Sequence, residues 1–110
     1  MRIVKRKEFL ALPVGTIFSK YYTMGIFNGL NIKGETWGDD FLYLNLIDNK
    51  RISNPSEMVD FFEKAEADSS VEFSMNLDEW SRDGLYEVEQ LFAVYDNLDK
   101  LRLINKISSE

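Results

Sequence analysis

The chain has 110 residues, 45% of them hydrophobic and 14% aromatic, and its 19 acidic and 13 basic side chains leave a net charge of −6. Such a composition excludes disorder, and the length predicts one domain, residues 1–110, that buries about 65% of its unfolded surface. There is no histidine and no cysteine, so this chain has no imidazole base, Ser-His-Asp triad, thiol nucleophile, disulfide or ordinary zinc or copper site.

In chain order, Ile3 and Val4 start a short strand. Residues 7–12 form a turn or two of helix with Phe9, Leu10 and Leu12 facing in. Pro13 ends it, because the residue before a proline avoids the helical region. Residues 14–22 are β-branched and aromatic and predict a strand. Asn28-Gly29 then predicts a type I′ hairpin turn, which needs positive φ at both central residues. Leu30-Asn31-Ile32-Lys33 alternates apolar and polar, the pattern of a half-buried return strand. Gly34 and Gly38 bracket a second turn. Residues 41–47 read as a central strand, apolar on both faces, closed by Asp48-Asn49-Lys50.

Asn54-Pro55-Ser56-Glu57 is a helix start: an N-cap, a proline in the first turn and a glutamate three residues on. Met58, Phe61, Phe62 and Ala65 make one apolar stripe, with Asp60, Glu63 and Glu66 on the other side. Residues 71–75 alternate, predicting a strand with Val71, Phe73 and Met75 inward. Residues 77–84 are polar and irregular. Residues 90–95 are assigned to a strand over a competing helical spacing. Asp96 or Asn97 caps a last helix with Leu98, Leu101, Ile104 and Ile107 inward. The fold class is therefore α+β: an antiparallel β-meander of five to six strands with two to three helices packed on one face.

The candidate chemistry is sparse. Gly29 and Gly34 have the interval of a phosphate loop, but Glu35-Thr36 and then a strand follow, where Lys-Ser/Thr and a helix are required. Glu35, Asp39 and Asp40 could hold a hard cation with oxygen ligands, without EF-hand spacing. Asp78, Glu79 and Asp83, or Asp39 and Asp40, could pair as glycosidase-type carboxylates. A deep cleft is not expected in so small a domain, so no catalytic, cofactor or metal residue is predicted. A nucleic-acid patch would rest on Arg2, Lys5, Arg6 and Lys7 with Tyr21 and Tyr22, against the overall charge.

Charge is unevenly spread. Residues 1–33 carry six bases against Glu8, whereas residues 57–99 carry thirteen acids against Lys64 and Arg82. An acidic face repels nucleic acid and attracts basic proteins. No apolar run approaches the ~20 residues of a membrane helix. The basic N-terminus lacks the apolar stretch of a signal peptide. A cytoplasmic protein is expected.

Lys5-Arg6-Lys7-Glu8-Phe9-Leu10, followed by Leu12-Pro13-Val14-Gly15-Thr16-Ile17-Phe18-Ser19-Lys20-Tyr21, resembles a family of small phage- and prophage-encoded proteins. Ile32-Lys33-Gly34-Glu35-Thr36, Arg82-Asp83-Gly84-Leu85 and Glu89-Gln90-Leu91-Phe92-Ala93-Val94-Tyr95-Asp96 extend the likeness along nearly the whole chain. Tyr22-Thr23-Met24 departs from it, where the family pattern is more polar. The family has no established activity, so it transfers no functional residue. It implies a phage context, in an infected or lysogenic bacterial cytoplasm, where accessory proteins of this size often block CRISPR or restriction machinery.

The expected function is therefore inhibition of a host protein with a basic, nucleic-acid-binding type of surface. The contact residues would be Asp60, Glu63, Glu66, Asp78, Glu79 and Asp83, with Trp80 as the aromatic anchor and Trp37 as a second contact residue. The alternative is a structural, assembly or regulatory role as a homo-oligomer. No enzymatic activity, membrane or direct nucleic-acid contact is expected, and the protein would be a monomer or homodimer.

Overall fold

The computed structural model describes residues 1–47 and 54–109. Among them are six strands and three helices: β1 Arg2–Lys5, α1 Arg6–Leu10, β2 Ile17–Tyr22, β3 Ile26–Trp37, β4 Asp40–Asn45, α2 Pro55–Ala67, β5 Ser81–Arg82, β6 Leu91–Tyr95 and α3 Asn97–Ser108. All strands join one antiparallel sheet in the order β1-β6-β2-β3-β4-β5. The α+β expectation holds. The meander runs from β2 to β5, and β6 returns to lie between β2 and β1. The turn expected at Asp48-Asn49-Lys50 lies outside the described residues.

Period-two alternation puts Val4, Phe18, Phe41, Phe92 and Val94 in one core with Phe9 of α1. The four phenylalanines are fully buried. Phe9 stacks on Phe92 with centroids 4.0 Å apart and meets Phe18 and Phe41 edge-on at 4.7 and 5.0 Å. Leu10 and Leu12 pack against this cluster, so α1 covers the sheet as its sequence predicts.

The first hairpin reverses earlier than Asn28-Gly29. Tyr22 pairs with Ile26, and Thr23-Met24-Gly25 make the turn, with φ of 70° at Met24 and 80° at Gly25. Gly29 keeps its positive φ, 78°, but spends it on a bulge: Phe18 pairs with Asn31 and Lys20 with Asn28, so Ser19 faces two residues. Gly25 and Gly29 both tolerate that backbone. Long-range pairing selects Gly25, setting the Phe27 ring 5.3 Å from that of Tyr21. The second hairpin turns at Gly38-Asp39 between paired Trp37 and Asp40. Gly34 lies instead in a second β3 bulge opposite Leu42, between the Lys33↔Tyr43 and Thr36↔Phe41 pairs.

Three expectations fail on packing. Residues 71–75 form no strand. The edge of β4 pairs with Ser81–Arg82, and Phe73 packs on Phe61 and Phe62 of α2, at 5.1 and 6.1 Å. Neither α2 nor α3 has a buried residue, so only α1 packs tightly on the sheet. On α3, Leu98, Leu101, Ile104 and Ile107 are 65, 57, 49 and 78% exposed. The helix is tied instead by Asp99, whose carboxylate lies 2.5 Å from the Met1 ammonium. Periodicity marks a stripe; it does not say which way the stripe faces.

Candidate functional site

The acids predicted to meet a partner divide into two groups. Asn54 accepts from the Ser56 and Glu57 backbone N–H groups at 2.9 and 3.4 Å and starts α2. The helix then presents Asp60, Glu63 and Glu66 to solvent. Beside them is a shallow depression of about 250 Å³ lined by Met58, Val59, Phe62, Glu63 and Glu66. The Phe73 contact ties the stretch after α2 back to the helix. That stretch carries exposed Asp78 and Glu79, where Asn76 Nδ2 donates to Glu79 at 2.8 Å.

The two tryptophans differ. Trp80 is 43% exposed, but one edge of its ring lies on the sheet. A Cβ built at Gly34 would come within 3.1 Å of Trp80 Cζ3 and 3.0 Å of Leu42 Cβ. Gly34 is thus the seat for that ring. Trp37 stands at the tip of the β3–β4 hairpin, 54% exposed.

Asp83 does not belong to the acidic surface. Its side chain is 1% exposed, against 7% for Arg6 and 16% for Lys20. Its Oδ1 accepts from Lys20 Nζ at 2.8 Å and its Oδ2 from Arg6 Nη1 and Nη2, each at 3.3 Å. Those two cations come from α1 and β2, so the carboxylate links the stretch after β5 to the start of the chain. Burial without such pairing would be prohibitive for a charge.

Asp40 is also internal. It bonds to the Arg82 guanidinium and accepts from the backbone N–H groups of Phe41 and Gly84 at 2.9 Å each. Burial pushes its pKa up, but the Arg82 and N–H contacts outweigh that and hold it below the usual carboxylate range. The same pairing, with Tyr86, raises the pKa of Arg82. Glu35 and Asp39 remain exposed, so the three residues weighed for a cation do not converge. Among the described residues no group of three or more acids could hold a metal ion. Of the carboxylates weighed for glycosidase-type chemistry, Asp83 is committed to Arg6 and Lys20 and Asp40 to Arg82, while Asp78, Glu79 and Asp39 are exposed.

The basic patch is broken up in the same way. Arg2 pairs with Glu8 at 2.7 Å, and Arg6 is buried on Asp83. Tyr21 Oη accepts from the Gly25 N–H at 3.1 Å.

Lys33 was not singled out by its sequence. It sits on the core side, with Nζ donating to Thr36 Oγ1 at 2.6 Å and to the Gly34 carbonyl at 3.3 Å, 5.8 Å from the Phe9 ring. Thr36 in turn donates to the Leu10 carbonyl at 3.0 Å. Burial lowers the Lys33 pKa. Asn31 is buried as well, so both polar positions of the Leu30–Lys33 alternation face in.

No protein-family model, curated protein or solved structure matches this chain. No helix among the described residues is long and apolar enough to cross a membrane.

Proposed function

We propose that this chain is a phage-encoded accessory protein that binds and inhibits a host protein through the acidic surface of α2 and the Asp78-Glu79 stretch. The observation that carries the reading is the apolar depression on α2 rimmed by Glu63 and Glu66, with Asp60 exposed on the same helix. Apolar contact supplies affinity, and the carboxylates supply attraction and orientation toward a basic target. A surface built to hold DNA or guide RNA fits best, because carboxylates then occupy the place of phosphates. CRISPR and restriction proteins present such surfaces. The role requires no catalytic step, cofactor or metal.

The test is affinity capture by tagged protein from bacterial lysate, at low salt and at about 1 M salt, where screening is nearly complete. A parallel capture uses the quadruple variant Asp60→Lys, Glu63→Lys, Asp78→Lys, Glu79→Lys. Trp80 is left intact because its ring seats on the sheet. One basic nucleic-acid-handling protein, held at low salt and lost both at high salt and with the variant, is the expected result. Equal retention by the variant overturns the site.

The second reading is a homo-oligomeric structural or regulatory phage protein. It is favoured by the solvent-facing Leu98, Leu101, Ile104 and Ile107 of α3. Light scattering of the free protein decides: a stable dimer that Leu101→Glu with Ile104→Glu makes monomeric would move the role to self-assembly.

A further inference from the structure

A cleft of about 640 Å³ opens between α1, the tip of the β3–β4 hairpin and the stretch after β5. That volume is typical of small-molecule sites. Its lining is of two kinds. Lys5, Arg6 and Lys7 supply cations, while Leu10, Tyr86 and Val88 supply apolar surface.

Arg6 is the unusual member. Its side chain is nine-tenths buried, yet its bonds to Asp83 are 3.3 Å long, beyond the 2.7–2.9 Å or so of a strong charged pair. Nη2 also donates to the Asp39 carbonyl at 2.5 Å. Its Nε is buried with no hydrogen-bond partner among the described residues. Asp83, by contrast, is held closely by Lys20 at 2.8 Å. Arg6 thus keeps one donor, Nε, without an acceptor, while Asp83 has Lys20 as a second cation. The charge of the lining favours an anion: Lys5, Arg6 and Lys7 outnumber the single carboxylate, Asp39.

The opposite wall carries a second anomaly. Tyr86 holds a positive φ of 54°, a costly backbone for an aromatic residue. Its hydroxyl accepts a hydrogen bond from Arg82 Nη2. The strained turn sets the residue at the cleft wall.

We infer that the cleft binds a small amphipathic carboxylate, with its head at Arg6, Lys5 and Lys7 and its aliphatic or aromatic body against Leu10, Tyr86 and Val88. A phosphate dianion fits less well, since Asp39 lies on the rim and much of the lining is apolar. This site is distinct from the acidic surface of α2 and does not rest on the function proposed for it.

The probe is hexanoate, titrated into ¹⁵N-labelled protein and followed by backbone amide shifts. Inorganic phosphate serves as a head without a body, and 1-hexanol as a body without a head. Hexanoate is expected to saturate at about millimolar concentration, ordinary for so small a ligand, moving the amides of Leu10, Gly38 and Val88. Lys5→Glu with Lys7→Glu alters two exposed side chains and should weaken binding at least about tenfold. The inference is overturned if hexanoate gives no saturable shift, or if the double variant binds it equally. It is also overturned if hexanol or phosphate binds as well as hexanoate does, since the site would then be only apolar or only anionic.

Discussion

Asp83→Asn tests the internal ion cluster most directly. The amide keeps the shape of the carboxylate, removes its charge, and sets an N–H₂ against Lys20 or Arg6, which are donors only. Removing one partner of a buried charge pair costs about 3–5 kcal/mol. The long Arg6 contacts and the partial exposure of Lys20 place this case near the lower end, at about 3 kcal/mol. For a chain of this size that is a fall in Tm of about 12 °C. Thermal and urea unfolding, followed by circular dichroism and tryptophan fluorescence, measure it. Lys20→Met should cost less, because Asp83 keeps Arg6. A loss below about 1 kcal/mol for Asp83→Asn, as at an exposed surface pair, would refute the reasoning, as would a larger loss for Lys20→Met.

Gly34→Ala should destabilise by about 1–3 kcal/mol, the range for overpacking, because the new Cβ meets Trp80 and Leu42 at 3.0–3.2 Å. A red shift of tryptophan emission would report the displaced ring. Asn54→Ala removes the cap of α2 and should cost about 1 kcal/mol, read as lost helicity at 222 nm, the standard helix band. Asp40 has a folded pKa below its unfolded one, so its stabilisation is complete above about pH 4 and is lost as pH falls through the folded value. Melting curves across the acid range should slope less in Asp40→Asn. Lys33 is depressed by burial; between its folded and unfolded pKa values the unfolded chain binds more protons, so stability rises with pH there. Side-chain NMR titration should find Lys33 deprotonating below the ordinary lysine range.

Local signals were legible wherever the chemistry is local. Asn54-Pro55 marked the start of α2. The reciprocal box between Asp96 and Asp99 caps α3, at one of the two positions expected from the sequence. Residues 90–95 read as a strand, and Leu91–Tyr95 forms β6, which pairs on both sides. The 71–75 alternation satisfied the same rule yet formed no ladder. Phe73 packs on Phe61 and Phe62 of α2 instead, and Ser81–Arg82 takes the edge of β4 at Leu42 and Tyr43.

The functional readings depended on what local signals cannot carry. Among thirteen acids between residues 57 and 99, nothing in sequence separates Asp83, buried between two cations, from Asp78 and Glu79 in solvent. Lys33 looked like the outward half of an alternation, but β3 turns that half to the core and pairs it with Thr36. The α3 stripe is visible as a stripe, but its direction is set in the tertiary structure, where Asp99 pairs with the Met1 ammonium and Leu98, Leu101, Ile104 and Ile107 face solvent. Composition, caps and periodicity determined the α+β class, most elements and the lack of histidine and cysteine chemistry, because those follow from residue type and near neighbours. Bulge register, the facing of amphipathic elements and the pairing of buried charges were decided only in the tertiary structure. Each depends on partners 10 to 80 or so residues away, as Lys20 and Arg6 are from Asp83.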